Sequence, residues 1–147
     1  MGLGLLCAAQ EALSLDVLAE LAGWSHDERE RFVPSARQLL LEESASWAGA
    51  RAYRPRHDWV RELMAERLGD AAIRAHHGML ARKLATWPAS REPTARRYAL
   101  RHALIHRASA GAWADAWRLA ANMGSVEAKC RELGAHDAEL DMEPRGE

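Results

Sequence analysis

Leu3, Leu5, Leu6 and Leu13 open the chain with a spacing that predicts a first helix over roughly 3–12. Ser14 can then cap a short second helix, whose apolar contacts come from Leu15, Val17, Leu18 and Leu21 and whose C′ residue is Gly23. Ser25-His26-Asp27-Glu28 has the capping-box pattern, so a third helix begins there. Pro34 is expected to kink or interrupt it before Leu39, Leu40 and Leu41 complete its apolar end. The segment 42–50 reads as a turn joining two short strands, about 39–43 and 51–55.

From Asp58 onward the pattern is wholly helical. Trp59, Val60, Leu63, Met64 and Leu68 are predicted to share one face of a helix ended by Gly69. Asp70 can cap the next, with Ile73, His77, Leu80, Leu84 and Trp87 along one side. Residues 88–93 read as a linker, and Thr94 as the cap of a helix reaching Gly111. Trp113, Ala116, Trp117 and Ala120 mark another helix closed near Gly124, and Ser125 begins a last one through Leu133, ended by Gly134. The acidic tail, 136–147, is expected to be flexible.

Three helices leading into a hairpin predict a winged helix-turn-helix. The expected fold is therefore mainly α: a winged helix-turn-helix with a small β-wing (1–68), followed by an α-helical, solenoid-like domain (69–135). The paired helices at 94–110 and 112–123 resemble one unit of an α-solenoid, present in a single clear copy. Abundant Ala and scarce Val, Ile and Thr agree with this helical bias.

Charge changes the picture more than composition does. The 147 residues carry a net −1, but 51–107 hold 13 basic and 5 acidic residues, while the flanks 1–50 and 108–147 are each acidic. This basic middle suits an anionic ligand, an acidic partner or a solvated face. Cys7 and Cys130 lack any CxxC or Cys/His companion spacing and read as free thiols of a reducing compartment. With no apolar run near the length of a membrane span and no visible signal peptide, a cytoplasmic location without membrane association is expected.

Enzyme chemistry is hard to find. The sequence has no GxxxxGK[ST], GxSxG, HExxH or GxGxxG motif. His102 and His106 stand four apart on a predicted helix, but no third ligand has a suitable spacing, so no metal site is expected. His76 and His77 are adjacent and are expected to be one surface and one packing residue. DNA binding is disfavoured because the third helix would offer Asp27, Glu28 and Glu30 where phosphates and bases lie. Of the six Trp residues, Trp24, Trp59, Trp87, Trp113 and Trp117 are expected to pack within or between helices. Trp47, in the expected wing, would mark a covered surface if exposed.

One stretch is chemically pointed: Arg56-His57-Asp58-Trp59-Val60-Arg61-Glu62-Leu63, at the start of a helix. An aspartate there can cap free N–H groups, and a histidine can face an anion drawn to the positive end of the helix dipole. The stretch resembles the Met-His-Asp motif of the winged-helix domain in NB-ARC and related STAND NTPases. The resemblance extends to Leu5-Leu6-Cys7-Ala8-Ala9 and 13–21 before it. After it, 97–102 and 126–134 look like the helical domain that follows in bacterial members, so about 3–140 are covered.

The resemblance implies that His57 contacts the β-phosphate of ADP and holds a switch closed, with Asp58 capping the helix. Arg56 stands where the family often has an apolar residue; it either approaches phosphate or pairs with an acidic neighbour. The family's phosphate loop, Mg-binding acidic strand and sensor arginine lie upstream of such a domain, and its repeats lie downstream. The expectation is thus a non-catalytic regulatory piece with no cofactor of its own. The parent protein would bind ADP or ATP, and the partners would be its ATPase and repeat domains, with homo-oligomerisation on activation. The alternatives are a winged-helix DNA-binding regulator and a helical interaction scaffold.

Overall fold

The computed structural model describes residues 1–44, 51–85 and 93–134. Among them the order is α1 (Gly2–Ala8), β1 (Leu13–Ser14), α2 (Leu15–Ala22), α3 (His26–Ala36), β2 (Leu40–Ser44), β3 (Arg51–Pro55), α4 (Asp58–Leu68), α5 (Asp70–Leu84), α6 (Pro93–Ser109), α7 (Trp113–Ala120) and α8 (Met123–Leu133). The protein is mainly helical with one small antiparallel sheet. It divides into two compact units, Met1–Leu80 and Ala81–Glu147. Trp47, Trp87, the linker over 88–92 and the tail over 136–147 lie outside the described residues.

In the first unit the local signals work as written. The Ser14 hydroxyl accepts from the Val17 N–H at 3.3 Å, and Gly23 ends α2 in the left-handed region at φ 64°, ψ 35°. A residue with a Cβ is strained there, and Gly is not. Ser25 and Glu28 close both halves of the capping box: the Glu28 carboxylate accepts from the Ser25 N–H at 2.9 Å, and the Ser25 hydroxyl from the Glu28 N–H at 3.3 Å. The bond from the Ser25 N–H, with a second from the Ser25 hydroxyl to the same carboxylate at 2.8 Å, also holds the Glu28 carboxyl below its ordinary pKa.

Pro34 does not interrupt α3. It sits in the last turn, where the missing N–H costs one ladder bond, and the Ser35 hydroxyl turns back onto the Phe32 carbonyl at 3.1 Å. The helix has no buried residue and is anchored at points. Phe32 meets Trp24 with ring centroids 4.7 Å apart, and Arg29 reaches Asp16 at 2.6 Å.

The sheet order is β1-β3-β2, all antiparallel. Leu13 faces Tyr53 on one edge of β3, while Leu40 to Ser44 face Pro55 to Arg51 on the other. The antiparallel pairing of β2 with β3 was expected, although 42–44 belong to β2 and the rest of the expected turn, 45–50, lies outside the described residues. Strand β1 was not expected, because two residues carry no period. The core of this unit gathers Leu5, Leu6, Leu13, Leu18, Leu40, Ala52, Tyr53 and Val60. Burying each of the fully enclosed leucines Leu5, Leu6, Leu18 and Leu80 contributes about 1.5–3 kcal/mol.

The first helix is shorter than expected, ending at Ala8, and its glycines are packing devices. A Cβ on Gly4 would lie 2.5 Å from Nε2 of His76 and 3.0 Å from a methyl of Leu68, so only hydrogen allows α1 this close. Both His76 and His77 are buried, which corrects the expectation that one would be a surface residue. Burial pushes both imidazoles below their ordinary pKa, and His76 Nδ1 has no hydrogen-bond partner.

In the second unit, α6, α7 and α8 pack on one another, with Arg96 of α6 paired to Glu132 of α8 at 2.6 Å. The last helix starts at Met123, capped by the Asn122 side chain accepting from the Ser125 N–H at 3.0 Å. Gly124 therefore lies inside α8 and does not close α7. Similarly, α6 starts at Pro93, putting Thr94 within the helix, and α5 starts at Asp70, one residue before a cap at Asp70 would allow.

The tryptophans depart most from expectation. Trp24 is half-buried, but Trp59, Trp113 and Trp117 are 51%, 63% and 73% exposed. Helical spacing identifies an apolar face without saying whether a neighbour covers it.

Two outcomes follow for stability. Gly4→Ala forces the imidazole or helix to move and is expected to cost about 1–3 kcal/mol in chemical denaturation, as overpacking does; an unchanged midpoint would contradict the close approach. Because His76 and His77 are held neutral when folded, the unfolded chain takes up their protons first as pH falls. Stability should be level above the ordinary imidazole value of 6.5 and decline below it, toward the depressed folded values. Thermal unfolding between pH 7.5 and pH 5.5, roughly spanning imidazole titration, reads this, and a His76→Gln/His77→Gln variant should lose most of the slope.

Candidate functional site

Strand β3 is paired on both edges and delivers the chain to α4 through a short fixed exit. The Arg56 N–H donates to the Leu39 carbonyl at 2.8 Å, immediately after Pro55 pairs with Leu40. His57 follows in extended conformation, φ −139°, ψ 151°, and occupies the N-cap position of α4. Its carbonyl accepts from the Val60 N–H at 3.0 Å, which starts the helix, and Val60 is the residue that turns inward.

Arg56, His57, Asp58 and Trp59 are all exposed, so the structure brings the three expected site residues to one solvent-facing corner. Asp58 does not cap the helix as expected. The exit clamp at Arg56 places His57 at the cap, and Asp58 becomes the first helical residue, where its carboxylate meets the dipole favourably. The His57 side chain makes no capping bond; its ring lies nearly parallel to that of Trp59, with centroids 6.4 Å apart. Among the described residues Arg56 has no ion pair, while Arg51 pairs with Glu42 at 3.4 Å and Arg54 with Glu43.

A residue that sequence reasoning missed fixes this corner from behind. Arg61, one turn into α4, sends Nη1 to the carbonyls of Cys7 at 2.9 Å and Ala9 at 2.8 Å. These carbonyls lie at the C-terminal end of α1, where the last helical acceptors have no partner in the ladder and the dipole is negative. The guanidinium thus joins α4 to α1. Nothing in the local sequence signals this, because the contact spans more than fifty residues. Cys7 is half-buried beside it; burial raises its thiol pKa and the Arg61 charge partly opposes the rise.

The histidines of α6 form a separate arrangement. The Tyr98 hydroxyl and His106 Nε2 are 3.0 Å apart, and His106 is fully buried. Tyr98 also meets His102 edge-on at 4.7 Å. Spacing alone suggested His102 and His106 as a metal pair, yet the His106 ring nitrogen is engaged by the phenol. Among the described residues no group of three or more His, Cys, Asp or Glu is placed to hold a metal ion, and no helix is long and apolar enough to cross a membrane.

Comparison with protein-family models, curated proteins and solved structures finds no match to this chain.

Truncating Arg61 to Ala leaves the Cys7 and Ala9 carbonyls without their charged donor. The expected loss is about 1.5–3 kcal/mol of stability, with Arg61→Lys recovering part of it through one bond in place of two. Equal stabilities of the Ala variant and the parent in urea titration would show that the bond is not formed.

Proposed function

We propose that this chain is a non-catalytic regulatory segment of a STAND-type signalling NTPase, a winged helix and helical domain in which His57 senses bound ADP. The observation that carries the reading is the start of α4: an exposed histidine at the N-cap position, its side chain not spent on capping, beside an exposed arginine. Three helices leading into an antiparallel hairpin, with β3 also paired to the strand before α2, support the winged-helix part.

The donors there fit an anion. Helix N-terminal N–H groups and the dipole favour a phosphate, the imidazole supplies a directed hydrogen bond, and the Arg56 guanidinium supplies two more. Asp58 at the corner opposes phosphate, so the site suits an anion held partly by another domain. A nucleotide-binding domain supplying the phosphate loop completes such a site. The Arg61 bond to α1 makes the corner stiff, which gives movement of the unit a defined effect on His57. The acidic first turn of α3, with Asp27 and Glu28, weighs against the DNA-binding alternative.

A hydrogen bond from His57 to phosphate contributes about 1.5–3 kcal/mol, which shifts a two-state switch by roughly tenfold or more. In the nucleotide-binding protein that contains this segment, His57→Ala should release ADP roughly tenfold faster and raise basal signalling. ADP retention measured by filter binding checks it, and retention equal to that of the parent would sink the reading.

A further inference from the structure

Helix α7 has two apolar sides of different fate. Taking 100° per residue, Ala116, Leu119 and Ala120 lie on the side that is buried or half-buried. Trp113 and Trp117, one turn apart, project beside that side and remain 63% and 73% exposed. Ala114 and Ala121 continue the same exposed face. The helix has only two charged residues, Asp115 and Arg118; they sit about 180° and 120° round from the tryptophan pair and neutralise each other at 2.6 Å. Met123, 68% exposed, opens α8 just beyond.

We propose that this face of α7 is a homodimer interface, in which Trp113 and Trp117 pack against the same face of a second copy across a two-fold axis. The face is self-complementary in shape: two large indoles lie next to small alanines, so a crossing of two copies sets each indole over an alanine patch. It is also nearly neutral: Arg118, at its edge beside Ala114, is paired with Asp115 at 2.6 Å, so the face carries no net charge to call for an oppositely charged partner such as nucleic acid or an acidic protein.

The area agrees. With about 150–250 Å² for a large side chain, the exposed parts of Trp113, Trp117 and Met123 sum to on the order of 400 Å² per chain. Two copies with their flanking alanines approach the ~1,000 Å² at the lower edge of specific interfaces. The association is therefore weak and reversible, and tryptophan anchors dominate it. It is independent of the nucleotide reading and uses none of the α4 residues.

Sedimentation equilibrium of the full chain, from roughly 1 µM to roughly 500 µM to bracket a small interface, should show a monomer–dimer equilibrium. Indole emission should shift to the blue as the dimer forms. Trp117→Glu places a carboxylate in each half of the contact and should weaken association at least tenfold. Trp113→Ala/Trp117→Ala should do the same without added charge; both positions are exposed, so far-UV circular dichroism should be unchanged. Trp59→Ala, on the first unit's exposed indole, should leave the dimer intact. A monomer at every concentration overturns the proposal, as does an association that the α7 variants do not alter or that Trp59→Ala abolishes.

Discussion

Everything that positions the first unit's chemistry depends on β3 being bonded along both edges. A strand with one partner is a hairpin arm; a strand with two is fixed in register and twist. Here Tyr53 is opposite Leu13 on one side and Glu42 on the other, and Ala52 and Tyr53, which point to opposite faces of the sheet, are both buried. The exit of that strand then has little freedom. One backbone bond, from Arg56 to Leu39, closes it, and the helix that follows starts where the sheet dictates.

That dependence explains which features were legible in sequence. Ser14, Gly23, Ser25 with Glu28, and Gly69 act on backbone groups within four residues, so their roles could be read directly and the structure has them in place. Strands β2 and β3 were within a residue of their observed bounds. Asp58 was misread because the choice between it and His57 as the cap is made by the strand, not by the dipeptide. Strand β1 and the Arg61 bond were invisible: one is too short to show a period, the other joins residues far apart in the chain.

Burial was the harder property. Trp113, Trp117 and Trp59 have helical spacing and large apolar area, yet remain in water, while His76, His77, His106 and Lys129 are enclosed. In the second unit Tyr98 and His106 meet inside the helical packing, where a buried phenol or imidazole is costly unless its polar atom finds a partner. Side-chain polarity therefore ranks these positions poorly. What ranks them is the neighbour, which a single sequence does not display.

Each compact unit also carries one thiol, and the two differ in a useful way. Cys130 is exposed on α8, so it reports the second unit's surface whatever its state. Cys7 sits half-buried at the end of α1 with its thiol pKa raised, beneath the Arg61 clasp. Its reaction with an alkylating reagent is slowed by low thiolate content and by restricted access. The chain thus contains a built-in chemical clock for the separation of α1 from α4, timed against a reference thiol in the same molecule.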